Sequence, residues 1–129
     1  MDLITVTRKS GLQFEFAVRK HRVASDMAVS DGGEDAAPAP VELLAGSLGA
    51  CIAMMVQSYC DTHGYVGDVA VSLTIELMDA PKRIGGIVVD VEVPEGVPEA
   101  KKDVIRRVAE RCVIHGTLVH APQIDIEVV

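Results

Sequence analysis

Cys51, Cys60 and Cys112 are the side chains of this sequence that can act as nucleophiles or exchange electrons unaided. The thiolate is the reactive form, so a working cysteine needs something to stabilise its charge. Without that, a free cysteine is simply a small buried hydrophobe. Cys51 follows Gly49 and Ala50, whose small size leaves room beside the sulfur for a small substrate. Cys60 comes nine residues later. At about 100° per residue it faces the opposite side of a helix, about 13 Å along the axis, and reads as structural. Glu42, nine residues before Cys51, is displaced by the same arithmetic. It either faces the positive N-terminal end of its helix or needs a helix break at Gly46 or Gly49 to reach Cys51. Cys112 and His115 form a Cys-x-x-His pair, but zinc takes four ligands and no second pair is spaced to supply them. No metal is expected, and His115 is placed at a turn or a pocket mouth; His21, His63 and His120 are expected in solvent.

Positioning these thiols falls to a few elements. Val41–Cys60 is the most apolar run and contains no proline. As a helix it would be apolar almost all round and would need cover on every side. It is too rich in Gly and Ser, and its apolar run too short, to prefer a bilayer. Pro40 suits its first turn and Gly64 its left-handed C-terminal cap. Ahead of it, Leu3–Lys9 and Leu12–Val18 alternate around Ser10-Gly11 as a hairpin, and Arg22–Ala28 adds a third extended segment. Ser30–Pro40, dense in Gly, Pro and acids, reads as a solvated loop. Beyond the helix, Val69–Leu77 and Ile87–Val93 alternate as a second antiparallel hairpin. Pro98–Cys112 reads as one amphipathic helix, with Val104, Val108 and Cys112 recurring every four residues. Val113–His120 suggests a further turn of helix, and Gln123–Val129 a last strand with Ile124, Ile126 and Val128 on one face. The order gives a single α+β domain over residues 1–129, mainly antiparallel. A homodimer is the simplest way for so small a chain to cover its apolar helix.

Composition narrows the function further. A formal net charge of −7 and dispersed basic residues, with only the short Arg19–Arg22 run, argue against a nucleic-acid partner. Nothing resembling an export signal opens the chain. An odd number of cysteines then points to a reducing compartment, the cytoplasm, and to thiols instead of a disulfide framework.

Two segments carry a resemblance. Pro-Val-Glu-Leu-Leu-Ala-Gly-Ser-Leu-Gly-Ala-Cys, Pro40 to Cys51, preceded by the acidic loop at Gly32-Gly33, is similar to the signature segment of the OsmC/Ohr family of osmotically induced and organic hydroperoxide resistance proteins. Arg-Cys-Val-Ile-His-Gly-Thr-Leu, Arg111 to Leu118, resembles that family's second-cysteine segment. The two lie at the family's separation, and the resemblance extends over nearly the whole chain, to the general OsmC-like branch. It implies an intertwined homodimer with antiparallel sheets wrapped around long central helices. It also implies reduction of organic hydroperoxides, with Cys51 as the peroxidatic cysteine, Cys112 as the resolving one, a thiol or dithiol as reductant, and no cofactor. An apolar pocket, Met54 and Met55 included, would favour organic substrates. The family's peroxidases carry a glutamate directly after the proline, paired with an arginine that lowers the thiol pKa. Here Val41 holds that position and Glu42 follows it; Arg19 and Arg22 both lie in the region of the partner arginine with no motif to fix which, and Arg22 is the one chosen; Val113 stands where proline often follows the second cysteine. A non-catalytic dimer of the same fold, binding a small apolar ligand at its interface, is the competing expectation.

Overall fold

Alternating residues and tight turns lay down a three-stranded antiparallel meander: β1 (Thr5–Ser10), β2 (Gln13–Val18) and β3 (His21–Ser25). The computed structural model describes residues 2–129, in two units whose boundary falls between Ala45 and Gly46. In the first unit Gly11 takes the left-handed conformation (φ 53°) that closes the β1–β2 turn. Strand β3 stops at Ser25, short of the expected Ala28, because Asp26 turns the chain. The Asp26 carboxylate is 2 % exposed and accepts from the backbone N–H groups of Met27 (2.7 Å), Glu34 (3.2 Å) and Ala36 (3.1 Å). The segment expected as a solvated loop is thus folded back on a buried anion. Its closure is tight: a Cβ on Gly33 would collide with the Met27 carbonyl and the Asp26 carboxylate.

The long helix, α1, runs unbroken over Pro40–Thr62. Its start is fixed by Pro40, whose missing N–H costs nothing in a first turn, and by Glu42, whose Oε1 accepts the Ala39 N–H at 2.9 Å while the Ala39 carbonyl accepts the Leu43 N–H. This is the returning half of a capping box. Its end is a Schellman closure: the Tyr65 N–H reaches the Cys60 carbonyl, the Gly64 N–H reaches that of Asp61, and Gly64 sits at φ 75°.

In the second unit, β4 (Ala70–Asp79) and β5 (Lys82–Glu92) form a long antiparallel hairpin pairing Leu73 with Val89 and Val71 with Val91. A register shift after Glu76 leaves Gly85 as the extra residue of a bulge. Leu48, Ile52, Val56 and Cys60, one stripe of α1, meet Val97, Ile105, Val108, Ala109 and Cys112 in the core, with β4 and β5 valines and isoleucines packed against it. Gly49 lets α1 approach β4 closely: a Cβ there would lie 2.5 Å from a Leu73 methyl carbon. Gln57 ties the link between them, donating to the Gly67 carbonyl and accepting the Val69 N–H at 2.7 Å.

Two further expectations change. The segment 98–112 is not one helix: a 3-10 turn at Glu99–Lys101 leads into α2 (Lys102–Glu110), and α3 (Val113–Val119) starts afresh after Cys112. Cys112 is extended (ψ 135°) and its sulfur accepts the His115 N–H at 3.4 Å, so it caps α3 instead of ending α2. Gln123–Val129 forms no strand; Ile126 and Val128 are 84 % and 98 % exposed. Finally, one chain covers only one stripe of α1. Leu44 and Met54 remain exposed, since a single hairpin and α2 cannot wrap it.

Candidate functional site

The break between α2 and α3 sets the geometry around the thiols. All three cysteines are free; Cys51 is half-buried on α1, and Cys60 and Cys112 are buried. The chain turn at Cys112 brings its thiol and the first amides of α3 near Cys51. The Cys51 thiol is held below its ordinary pKa, first by the hydrogen bond from Cys112 and then, against the opposing effect of burial, by the N–H groups of Ile114 and Val113. Cys112 is pushed the other way, by burial and by its donation to Cys51, partly offset by the N–H groups of His115 and Ile114. The pair is therefore asymmetric: Cys51 is the more readily ionised thiol and Cys112 the less. Cys60 is raised by burial and by the Asp61 charge, which suits an inert core residue.

The other expected participants are engaged within the first unit. Glu42 accepts the Ala39 N–H. Arg22, on β3, pairs with Glu15 of β2 at 3.3 Å, its side chain 68 % exposed. Besides the Cys112 thiol, the groups that lower the Cys51 pKa are backbone N–H groups, which no side-chain motif announces. Only the start of a helix directly after Cys112 could have revealed Val113 and Ile114 as donors.

The second unit is also hollowed by a groove of about 640 Å³, within the range of small-molecule sites. Ile52, the residue after Cys51, forms part of its floor with Ile87, Val89 and Ile105, and His115 stands at its wall. Lys102 and Arg106 lie on its rim, paired with Glu99 (2.8 Å) and Asp103 (3.4 Å). The methionines expected to line the pocket do not line this groove: Met55 packs against the core and Met54 is 71 % exposed. Among the described residues no three His, Cys, Asp or Glu side chains gather as a metal site would require.

These features can be set beside known proteins. The family described as OsmC-like protein matches residues 32–127. No curated protein matches the sequence. Among solved structures, an OsmC-like protein from Mycoplasma pneumoniae superposes with a TM-score of 0.80 at 16 % identity, covering 94 % of this chain and 89 % of that one. An OsmC-like protein of unknown function from Vibrio cholerae gives 0.74 at 10 % identity over 91 % and 92 %. The organic hydroperoxide resistance protein OhrB of Bacillus subtilis gives 0.62 at 18 % identity over 89 % and 90 %. At such identities the likeness is one of fold.

Proposed function

Since the chain belongs to the OsmC-like protein family, we propose that it is a cytoplasmic, homodimeric, thiol-dependent reductase of organic hydroperoxides. The observation that carries this reading is the asymmetric pair: Cys51, its thiol pKa lowered beside Cys112 and two backbone amides, and Cys112, its own raised.

The chemistry follows from that asymmetry. The Cys51 thiolate attacks the terminal oxygen of the hydroperoxide; an S–O bond forms, the O–O bond breaks, and its electron pair leaves with the alkoxide. The alkoxide takes a proton and departs as the alcohol, and Cys51 is left as a sulfenic acid. Cys112 then attacks the Cys51 sulfur. A disulfide forms, and the thiol proton and sulfenic hydroxyl leave as water. An external dithiol restores both thiols by two exchanges and is itself oxidised to a disulfide. The aliphatic groove favours an alkyl or acyl peroxide over hydrogen peroxide. The homodimer draws support from what one chain leaves uncovered: Leu44 and Met54 on α1 and the alternating Ile124, Ile126 and Val128. An organic hydroperoxide added to the reduced protein is expected to consume two thiols per chain and join Cys51 to Cys112, with Cys60 still free. Mass spectrometry finding Cys51 and Cys112 unmodified after excess peroxide overturns the proposal.

One observation favours a second reading, a non-catalytic dimer that binds a small apolar ligand. Glu42 and Arg22, the residues expected to activate the thiol, are occupied by Ala39 and Glu15. On that reading Cys51 reacts with an alkyl hydroperoxide no faster than a free thiol does. A stopped-flow comparison with a model thiol decides between them.

A further inference from the structure

Resting on the peroxidase reading, one step still lacks a partner: the alkoxide expelled from the O–O bond needs a proton, and neither sulfur is placed to give one. The thiolate has none, and Cys112 keeps its own to support Cys51 and later to form water. Two independent features place His115 next to Cys112 in the chain turn and on the groove. Its backbone N–H donates to the Cys112 sulfur at 3.4 Å, fixing the residue in the first turn of α3. Its half-buried side chain lines the same groove as Ile52, the residue that follows Cys51. We propose that His115 is the general acid that protonates the leaving alkoxide of a hydroperoxide bound in this groove.

The remaining polar groups of the groove are less suited by type. Arg106 holds its protons at any working pH and pairs with Asp103. Lys102 pairs with Glu99. Glu92 and Glu110 are exposed carboxylates, which accept hydrogen bonds when ionised. Among the described residues no hydrogen bond occupies the imidazole, so the ring is left to engage what enters the groove. Imidazole also exchanges protons near neutrality, which makes histidine the commonest general acid. The step balances: the S–O bond forms as O–O breaks, the electron pair passes to the departing oxygen, and the imidazolium proton moves to it. Cys51 is oxidised, the peroxide is reduced to an alcohol, and the neutral ring regains a proton from water before the next turnover.

The test exploits the leaving group. With the reduced full-length protein, stopped-flow rates of Cys51 oxidation are compared for His115→Gln and wild type, using tert-butyl hydroperoxide and peracetic acid. An alkoxide is a poor leaving group without a proton, whereas acetate leaves from the peracid unaided. His115→Gln is expected to slow the alkyl hydroperoxide about a hundredfold or more, the usual contribution of a general acid, and to leave the peracid rate and the alkylation of Cys51 by iodoacetamide little changed. Equal loss with both oxidants shows that the ring only positions the thiols and overturns the proposal, as does no loss with either. If wild type itself reacts with neither oxidant faster than a free thiol does, the peroxidase reading fails first and this one with it.

Discussion

Met54→Glu should split the proposed dimer. Helix α1 turns Leu48, Ile52, Val56 and Cys60 into its own chain and leaves Met54 71 % exposed on another face. Burying a methionine fully contributes about 1.5–3 kcal/mol, so covering the exposed share contributes about 1–2 kcal/mol in each copy. A glutamate loses that and adds a carboxylate whose desolvation costs several kcal/mol. A twofold interface repeats both losses. A combined loss of about 6 kcal/mol weakens association roughly ten-thousand-fold. Sedimentation equilibrium from nanomolar to micromolar protein reads this directly. Met54→Leu, which keeps the apolar surface, should remain dimeric. Within the single chain an exposed site changes stability by only about 0.5 kcal/mol, so circular dichroism should report an intact fold at concentrations where the variant is monomeric. Met54→Glu associating as tightly as wild type refutes the claim that a second copy covers this face.

Four further outcomes are expected. Cys112→Ala removes the largest support of the Cys51 thiolate, so alkylation of Cys51 at neutral pH slows and its pH profile moves upward; Cys112→Ser, which retains an O–H donor, moves it less. Asp26, whose pKa is lowered first by the Ala36 N–H and then, against burial, by those of Met27 and Glu34, adds stability above its ordinary carboxylate pKa. That stability is lost as pH falls through the lowered value, so Asp26→Asn should flatten the acid limb of denaturation curves measured by urea titration. Gly33→Ala should open the same loop, costing about 1–3 kcal/mol as overpacking against rigid backbone, seen as faster amide exchange at Glu34 and Ala36. Gly49→Ala gains about 1 kcal/mol of helix propensity but meets Leu73; overpacking of about 1–3 kcal/mol should leave a net loss of up to about 2 kcal/mol in thermal unfolding.

What the chain discloses unaided depends on how local the cause is. Helix α1 was legible because both its ends are written in neighbouring residues, Pro40 and Gly64. The β4–β5 hairpin was legible because Val71, Leu73 and Ile75 alternate against Val89 and Val91. The separation of α2 from α3 was not. Val104, Val108 and Cys112 keep a helical spacing straight through it, and no Gly or Pro marks the break; the switch is the Cys112 sulfur taking the place of a capping oxygen. Asp26 was equally hidden, because two of its partners are amides eight and ten residues away. The last segment shows strand alternation but forms no strand. For the site, the two cysteines were legible from their flanking motifs. The contribution of the Val113 and Ile114 amides was not, since a backbone N–H has no letter of its own.

On the proposed chemistry the sulfur of Cys112 would have two duties that conflict over time. In the reduced protein its lone pairs hold the His115 amide and so pin the opening turn of α3. Once that sulfur is bonded to another it is drawn toward its new partner and is a poorer acceptor. The short helix should then fray at its first turn, exposing the disulfide to an incoming reductant. Loss of protection at the His115 amide on oxidation, restored on reduction, would make this turn a latch that opens when the reagent it guards is spent.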